Sequence, residues 1–160
     1  MLGDEGSGHW IGLEGIRSGL RAVDRGVPSC LLREIHGLWG TSSIGALIAK
    51  ANSRPRPDFA MLAEAVSRCA AQGDALARSV LERAGEELAA QVSIVVSKMR
   101  AAACEVSDTQ RIAFTGSVLA HIAPVREAMV AALRLTHPGS VVDERPTEPI
   151  EGALARARRH

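Results

Sequence analysis

The sequence predicts a helix-rich α/β domain with two short parallel strands. Two long stretches, residues 8–25 and 74–103, carry apolar residues at steps of three and four, which predicts amphipathic helices. Two short apolar runs, residues 111–118 and 140–144, predict strands, with a helix between them. A strand–helix–strand order favours a parallel, right-handed crossover. With 160 residues, the chain is long enough for one domain with a substantial core.

Composition and charge argue against several classes of protein. Lys and Arg total 19 against 18 Asp and Glu, and aromatic residues make up 2%, so we expect no nucleic-acid partner and no anionic membrane. No apolar run approaches the about 18–20 residues that span a bilayer. No signal peptide is evident either, and we therefore expect a cytoplasmic protein.

The cysteines and histidines predict no metal site. Cys30, Cys69 and Cys104 are odd in number and more than thirty residues apart, which fits neither a disulfide framework nor a zinc or iron–sulfur site. We expect buried, unpaired thiols. The five histidines show no metal-ligand spacing, so structural or surface positions are favoured for them.

A glycine-rich loop, residues 3–8, runs into the first predicted helix. Glycine lets the backbone turn tightly and lets a ligand come close to it. A helix start offers free N–H donors and a positive dipole end. Asp4 is therefore a candidate for holding a polar ligand. The alternative is that the acidic residues merely favour the helix dipole and that Ser7 is the N-cap. The loop is neither a Walker A sequence nor a dinucleotide fingerprint.

The first helix contains three glycines, each of which weakens it by roughly 1 kcal/mol relative to alanine. Gly12, Gly15 and Gly19 lie on one side, which predicts that another backbone packs closely there. Short helices are predicted at residues 29–38 and 41–51, the second capped by Thr41 or Ser42.

The middle of the chain alternates loop and helix signals. Residues 52–57 read Asn-Ser-Arg-Pro-Arg-Pro, which predicts a loop. Asp58 is expected to cap a helix that ends near Gln72, and Asp74 to cap the longest helix. The apolar positions of that longest helix are Ala77, Leu81, Ala84, Leu88, Val92, Val95 and Met99.

The C-terminal part carries a second candidate site. Gly116 and Ser117 follow the first predicted strand and precede a helix over residues 120–135. Ligands in open α/β sheets bind beyond the carboxyl ends of the strands, so a phosphate or nucleoside contact is one interpretation and an ordinary turn is the other. A closing helix is predicted over residues 151–159. The open edges of two short strands predict that the chain is part of a larger structure and associates, a homodimer being one arrangement.

Four stretches, in this order, resemble N-acetylglucosamine kinases and the related BadF/BadG/BcrA/BcrD ATPase family. Residues 3–12 resemble the Gly-Asp-Glu-Gly-Ser-x-x-Trp-Ile signature, and residues 71–78 resemble the Gln-Gly-Asp-x-x-x-Arg start of a long helix. Residues 112–118 resemble a strand that ends in Gly-Gly-Val or Gly-Ser-Val, and residues 149–154 resemble the closing Pro-x-x-Gly-Ala-Leu. The resemblance extends over essentially the whole chain.

The resemblance implies the C-terminal portion of an actin-like (ribonuclease H-like) ATPase fold. It implies phosphorylation of the 6-hydroxyl of N-acetylglucosamine or glucosamine, with ATP and Mg²⁺. Asp4, with Gly3 beside it, falls on the family aspartate that hydrogen-bonds hydroxyls of the amino sugar. Gly116 and Ser117 fall on the adenosine-binding turn, and residues 59–61 lie where the family approaches the adenine. Two residues depart from the family pattern: His9 replaces an aromatic residue, and Met61 replaces a small one in some members.

The family's two phosphate loops and catalytic aspartate do not occur in these residues. We therefore expect residues 1–160 to form a C-terminal kinase domain without its N-terminal partner, to lack the general base, and to be inactive alone. One alternative is an ATPase activator of the same superfamily, which drives electron transfer through a bridging iron–sulfur cluster and needs cysteines at a dimer seam. Another is a non-catalytic binding or regulatory remnant.

Overall fold

The computed structural model describes residues 3–102, 109–148, 150, 154 and 156–158. The described residues form seven helices and two strands, in the order α1 Gly8–Arg25, α2 Leu31–Trp39, α3 Ile44–Ala51, α4 Leu62–Ala71, α5 Ala75–Ala101, β1 Arg111–Ile112, α6 Ser117–His121, α7 Ala123–Thr136 and β2 Val141–Val142. The predicted helix-rich α/β class and the parallel pairing of the strands are confirmed. In this part of the chain, we find no helix with the length and apolar run needed to cross a membrane.

The core lies where α1, α4 and α5 pack against one another, with α2 against α1 and α4, and α7 along α5. Helix α1 has the predicted bounds, because strong local signals define both of its ends. Ser7 is the N-cap and its hydroxyl accepts the Trp10 N–H at 3.1 Å. Gly26 ends the helix in the left-handed conformation, at φ 64°.

The glycines of α1 lie at close contacts, as predicted. A Cβ at Gly12 would overlap the carbonyl oxygen of Phe59, which is the close backbone approach that the sequence predicts. Gly15 and Gly19 instead face the side chains of α4 and α2. The Gly12 contact matters most for the site, because it presses residue 59 against the beginning of α1.

The cap of α3 differs from the prediction. Thr41 belongs to the end of α2, because its hydroxyl shares a hydrogen bond of 2.7 Å with Nδ1 of His36 and its N–H donates to the His36 carbonyl. Ser43 therefore caps α3, and its hydroxyl accepts the Ala46 N–H at 3.1 Å. The boundaries of α2 shift by one or two residues from those predicted.

The start of α4 also differs. The Asp58 carboxylate accepts the Ala60 N–H at 2.8 Å, but this bond closes a turn rather than opening the helix. Residues 59–61 form the turn, and α4 begins at Leu62. The prediction that Asp58 caps this helix is therefore wrong.

Asp74 caps α5 as predicted. Its Oδ1 accepts the N–H groups of Leu76 and Ala77, and its Oδ2 accepts the Ser29 hydroxyl and the Cys30 N–H. Burial raises the pKa of Asp74, but these hydrogen bonds outweigh burial and hold it below its ordinary value of 3.8. One carboxylate thus joins the start of α5 to the segment before α2.

The far end of α5 is less buried than its apolar period predicts. Val95 is 55% exposed and Met99 is 44% exposed, whereas Val96 is 6% exposed. The hydrogen bond between Ser93 and His137, at 3.0 Å, marks where α7 has ended. Helix α5 extends beyond its 14-residue partner, so its last turns have no helix along that side within the described part of the chain.

Cys30 and Cys69 form a disulfide, contrary to the prediction of unpaired thiols. Their Cα atoms are 5.9 Å apart, because the packing of α2 against α4 brings the two residues together. A separation of 39 residues gives no local pattern from which this pairing could be predicted. Cys104 lies outside the described residues.

The strands are shorter than predicted. Arg111 pairs with Val141 and Ile112 with Val142, and an ion pair of 2.6 Å joins Arg111 to Asp143. Each strand is only two residues long, and within the described part of the chain each pairs with a single neighbouring strand.

The helix predicted over residues 120–135 is two helices. Helix α6 ends at His121, and α7 begins at Ala123 with Pro124 in its first turn. Proline lacks an N–H and clashes with the preceding turn of a continuous helix, so it begins a new helix here. The closing helix predicted over residues 151–159 lies mostly outside the described residues.

Candidate functional site

A cavity of about 270 Å³ lies beside the glycine-rich loop. The loop itself, the first turns of α1 and the segment after α3 form its walls. We name it the Asp4 cavity, and its lining residues are Asp4, Glu5, His9, Trp10, Leu13, Ala51, Asn52, Ser53, Arg54, Arg56 and Phe59.

The glycine-rich loop is held in place from both sides. The Ser7 N–H donates to the Asp4 carbonyl at 3.1 Å, and the Gln91 side chain on α5 donates to the Glu5 carbonyl at 3.1 Å. Gly6 has φ 80°, and a Cβ there would overlap atoms of α5. The loop therefore requires glycine at this position both for its conformation and for its close approach to α5.

The Asp4 carboxylate has an unused acceptor. Its Oδ2 is buried and has no hydrogen-bond partner among the described residues. Ser7 is the N-cap of α1, as the alternative interpretation of the loop predicts. A buried acceptor left unpaired costs about 1–3 kcal/mol.

An aromatic cluster forms one wall of the Asp4 cavity. Phe59 is 5% exposed, and its ring centroid lies 5.0 Å from that of His9 and 5.2 Å from that of Trp39. These tilted and edge-on arrangements are the ones that aromatic pairs prefer. His9 thus faces both the cavity and the core.

A buried ion-pair network supports the neighbouring wall. Glu14 on α1 is 6% exposed and pairs with Arg17 and, at 3.1 Å, with Arg83 of α5. The Arg83 guanidinium lies 5.5 Å from the ring centroid of Trp10, within the range of a cation–π contact. Burial raises the pKa of Glu14, but the hydrogen bonds from the two arginines outweigh burial and hold it below its ordinary value of 4.5.

A second cavity, of about 480 Å³, also meets the start of α1. It lies between α1, the residues around the start of α4, and α6. We name it the Ser117 cavity, and its lining residues are Gly8, Ala60, Met61, Ala63, Glu64, Ser67, Ser117, Val118, His121 and Ile122.

The model of the BadF/BadG/BcrA/BcrD ATPase family matches residues 1–155. The chain belongs to this family. The use of ATP, by an enzyme or by an activator, is the activity that the family suggests. The comparison with curated proteins gives no significant match.

The structure brings together two stretches that the family resemblance associates with the nucleotide. Ala60 and Met61 line the Ser117 cavity together with Ser117 itself. Gly116 does not line it but immediately precedes Ser117, at φ 94° and ψ 153°, a conformation essentially restricted to glycine. Gly3 lines neither of these cavities and is exposed.

Sequence reasoning missed the contribution of the loop after α3 to the Asp4 cavity. Asn52, Ser53, Arg54 and Arg56 all line the cavity. The signal was present as two arginines separated by one proline, but the composition predicts a loop and does not show which surface the loop faces.

One cluster has the residue types of a metal site. The possible ligand atoms of Cys30, Cys69 and Asp74 lie within 4.8 Å of one another. The two sulfur atoms are bonded to each other, and both carboxylate oxygens already accept hydrogen bonds. The cluster therefore joins α2, α4 and α5, and it offers no free ligand.

Proposed function

We propose that this chain forms the sugar-binding and adenosine-binding part of an ATP-dependent amino-sugar kinase with an actin-like fold. The reaction transfers a phosphoryl group to the 6-hydroxyl of N-acetylglucosamine or glucosamine. The observation that carries the proposal is the Asp4 side chain in the wall of a cavity, with one carboxylate oxygen, Oδ2, buried and without a hydrogen-bond partner among the described residues. A carboxylate accepts hydrogen bonds from sugar hydroxyls, and such charge-assisted bonds are strong and directional.

The remaining lining of the Asp4 cavity also suits a sugar. Asn52 and Ser53 provide polar groups that can bind further hydroxyls. Trp10 and Phe59 provide aromatic surface for the apolar face of the ring. Gly3 would contribute through its backbone, by giving the turn that presents Asp4.

The Ser117 cavity supports a place for the adenosine of ATP. Its apolar lining, which includes Met61, Val118 and Ile122, can cover a purine ring. Gly116 and Ser117 form the turn at its edge. When bound, Mg²⁺ would be held mainly by phosphate oxygens and water and would neutralise phosphate charge.

The two cavities share chain segments, which favours transfer between them. Gly8 lines the Ser117 cavity and His9 lines the Asp4 cavity. In the same way, Ala60 lines the Ser117 cavity and Phe59 the Asp4 cavity. Phosphoryl transfer depends on holding donor and acceptor side by side, and a common wall provides this.

The placement of the cysteines favours the kinase over the electron-transferring activator. Such an activator needs cysteine sulfur atoms at a seam between two chains. Cys69 is fully buried within one chain, against Cys30. Cys69 therefore does not lie at such a seam.

Sugar binding is the first test. We expect N-acetylglucosamine to bind the protein in saturation-transfer NMR, which detects millimolar affinity. Asp4→Asn should weaken binding by about tenfold or more, since it removes a charge-assisted bond. The matched control is Asp24→Asn, which changes an exposed carboxylate near the end of α1, away from the Asp4 cavity. Equal binding of N-acetylglucosamine by both variants would show that Asp4 has only a structural role.

Turnover is the second test, with MgATP and N-acetylglucosamine, following ADP release and sugar phosphate. We expect residues 1–160 alone to bind the sugar without phosphorylating it, because the resemblance places the general base in an N-terminal half. The same residues joined to such a half should phosphorylate the sugar. Sugar-dependent ADP release by residues 1–160 alone would show that the base lies within them. Binding without turnover in the joined protein would favour the non-catalytic remnant.

A further inference from the structure

We propose that a cleft between α1 and α5 binds the phosphate group of a small molecule, and that Arg21 and Arg25 hold this group. The cleft has a volume of about 200 Å³, and its polar lining consists of Ser18, Arg21, Arg25, Ser79 and Arg83. We name it the Arg21 cleft. Its described lining residues are all different from those of the Asp4 and Ser117 cavities. The Arg21 cleft is therefore a third ligand site, independent of the proposed kinase.

Helical periodicity brings the polar lining together. Ser18, Arg21 and Arg25 recur at steps of three and four along α1, and Ser79 and Arg83 are four residues apart along α5. Residues at such steps share one face of a helix. Because α1 packs against α5, the two faces meet, and the cleft lies between them. The side chains are thus carried by regular helical backbone on both sides.

Among the described residues, no carboxylate lines the Arg21 cleft. The Asp4 cavity differs, since Asp4 and Glu5 lie in its wall beside the arginines of the loop after α3. Asp24 lies between Arg21 and Arg25 in the sequence, but it does not line the cleft. It also forms no ion pair with either arginine within the described part of the chain. The charges of Arg21 and Arg25 therefore have no counter-charge in the cleft.

Arg83 has a compensated charge but keeps donors for a ligand. Its Nη2 donates to the Glu14 carboxylate at 3.1 Å, and its guanidinium lies 5.5 Å from the ring centroid of Trp10. A guanidinium group carries five N–H donors, so one bond to Glu14 leaves others unused. Arg83 can therefore donate to a ligand in the cleft while it keeps its contact with Glu14.

The placement of Arg21 has a local cost that the rest of the fold does not offset. Like charges four residues apart on a helix repel each other, as Arg21 and Arg25 do. The helix dipole favours a cation in the last turn of α1, which accounts for Arg25, but this effect falls off before Arg21. An anion between the two guanidinium groups would relieve the repulsion.

The lining indicates the chemistry of the ligand. Arginine offers donors only, and the hydroxyls of Ser18 and Ser79, which have no hydrogen-bond partner among the described residues, are free to donate. Donors that converge from two helices suit phosphate, whose oxygen atoms point in several directions, better than a planar carboxylate. The volume of the cleft lies below the about 300–1,000 Å³ typical of drug-sized ligands, so the ligand is small.

The test is an NMR titration that follows the backbone amides of residues 1–160. The probes are inorganic phosphate, glycerol 3-phosphate and acetate. The wild type is compared with Arg21→Gln/Arg25→Gln and with the control Arg78→Gln/Arg100→Gln. The control removes the same charge from two exposed arginines of α5 that do not line the cleft. Thermal unfolding of each variant shows whether it is folded.

We expect phosphate to shift the amides of the residues that line the Arg21 cleft, with saturation. The affinity should fall at least about fivefold in Arg21→Gln/Arg25→Gln, the size of two partly exposed ion pairs, and should stay at the wild-type value in the control. Acetate should bind the wild type more weakly than phosphate, and salt should weaken phosphate binding. Tighter binding of glycerol 3-phosphate than of inorganic phosphate would identify a phosphate ester as the ligand, and the reverse order would identify free phosphate.

Four outcomes would overturn the inference. They are equal phosphate affinity in the wild type and Arg21→Gln/Arg25→Gln, an equal loss in the control, acetate binding as tight as phosphate binding, and shifts confined to the Ser117 cavity. If the arginine variant is unfolded, Ser18→Ala/Ser79→Ala decides instead, because it keeps every charge. Unchanged phosphate affinity in that variant would overturn the inference as well. None of these outcomes affects the proposed kinase, which is tested by sugar binding to Asp4→Asn.

Discussion

The Asp4 and Ser117 cavities differ in chemistry although the same two chain segments contribute to both. Residues 8–9 and 59–60 line the two cavities with successive residues of the chain. A third segment makes the difference: the arginine-containing loop after α3 for the Asp4 cavity, and α6 for the Ser117 cavity. The Asp4 cavity therefore has a charged lining and the Ser117 cavity a mainly apolar one. A shared wall joins the two cavities, while their separate walls give each cavity its own chemistry.

The largest expected effect comes from breaking the shared wall. Gly12→Val would place side-chain atoms on the Phe59 carbonyl and force α1 away from residues 59–62. We expect a loss of about 3 kcal/mol or more in the free energy of unfolding, the range of severe overpacking. Urea unfolding followed by circular dichroism measures it. Sugar and ADP binding should fall together, and an unchanged unfolding midpoint would show that the wall can shift freely.

A smaller change should affect the Ser117 cavity alone. Gly116→Val puts a β-branched residue at φ 94°, at a strain of about 1–3 kcal/mol, with no atom within 4 Å for its Cβ to meet. ADP binding, measured by calorimetry, should weaken while sugar binding stays as in the wild type. The control is Gly26→Val, which strains another positive-φ glycine, in the left-handed conformation at φ 64° at the end of α1 and away from the Ser117 cavity. Equal ADP affinity in both variants would make the turn at Gly116 purely structural.

The Asp4 cavity has its own support in Glu14, which holds Arg83 over Trp10. Glu14→Gln should lower stability at pH 7 by about 1–3 kcal/mol, the cost of weakening buried charge-assisted bonds. Sugar binding should weaken and ADP binding should not.

The effect of this substitution should depend on pH, because the pKa of Glu14 in the wild type is lowered in the folded state. The stabilisation from its ionised form is complete above the ordinary value of 4.5 and is lost as the pH falls through the lower folded-state value. The difference in unfolding free energy between wild type and Glu14→Gln should therefore shrink as the pH falls from 4.5 through the lower folded-state value. A constant difference down to pH 2.5 would mean that the carboxylate charge contributes nothing.

The smallest effect is expected where neither cavity is involved. Gly37 lies on the exposed face of α2, and a Cβ there meets nothing within 4 Å. Gly37→Ala should raise stability by about 0.5–1 kcal/mol, through helix propensity and a less flexible unfolded chain. Thermal unfolding should show the gain, with both ligand affinities unchanged. This variant is also the reference for Gly12→Val. Both glycines lie in helices, but only at Gly12 would a Cβ meet atoms of a neighbouring segment. A loss of stability would mean that α2 is packed more tightly on this face than its exposure indicates.

The bounds of α1, the cap of α5 and the parallel pairing of the strands could be predicted from the sequence. Ser7 and Asp74 accept hydrogen bonds from N–H groups two or three residues away. An apolar period of three to four residues likewise depends only on the residues of one helix. These interactions are local, so a short stretch of sequence contains all of their partners. The glycine-rich loop before α1, with Asp4 in it, could be predicted in the same way.

Contacts between distant segments were decided only by the tertiary structure. Cys30 meets Cys69 because two helices pack, and Val95 is exposed because α7 has already ended. The same holds for the Asp4 cavity. Only packing buries Oδ2 of Asp4 without a partner and brings the loop that contains Arg54 to the wall of the same cavity. Burial and charge compensation depend on every neighbour in space, whereas the sequence pattern specifies only neighbours along the chain.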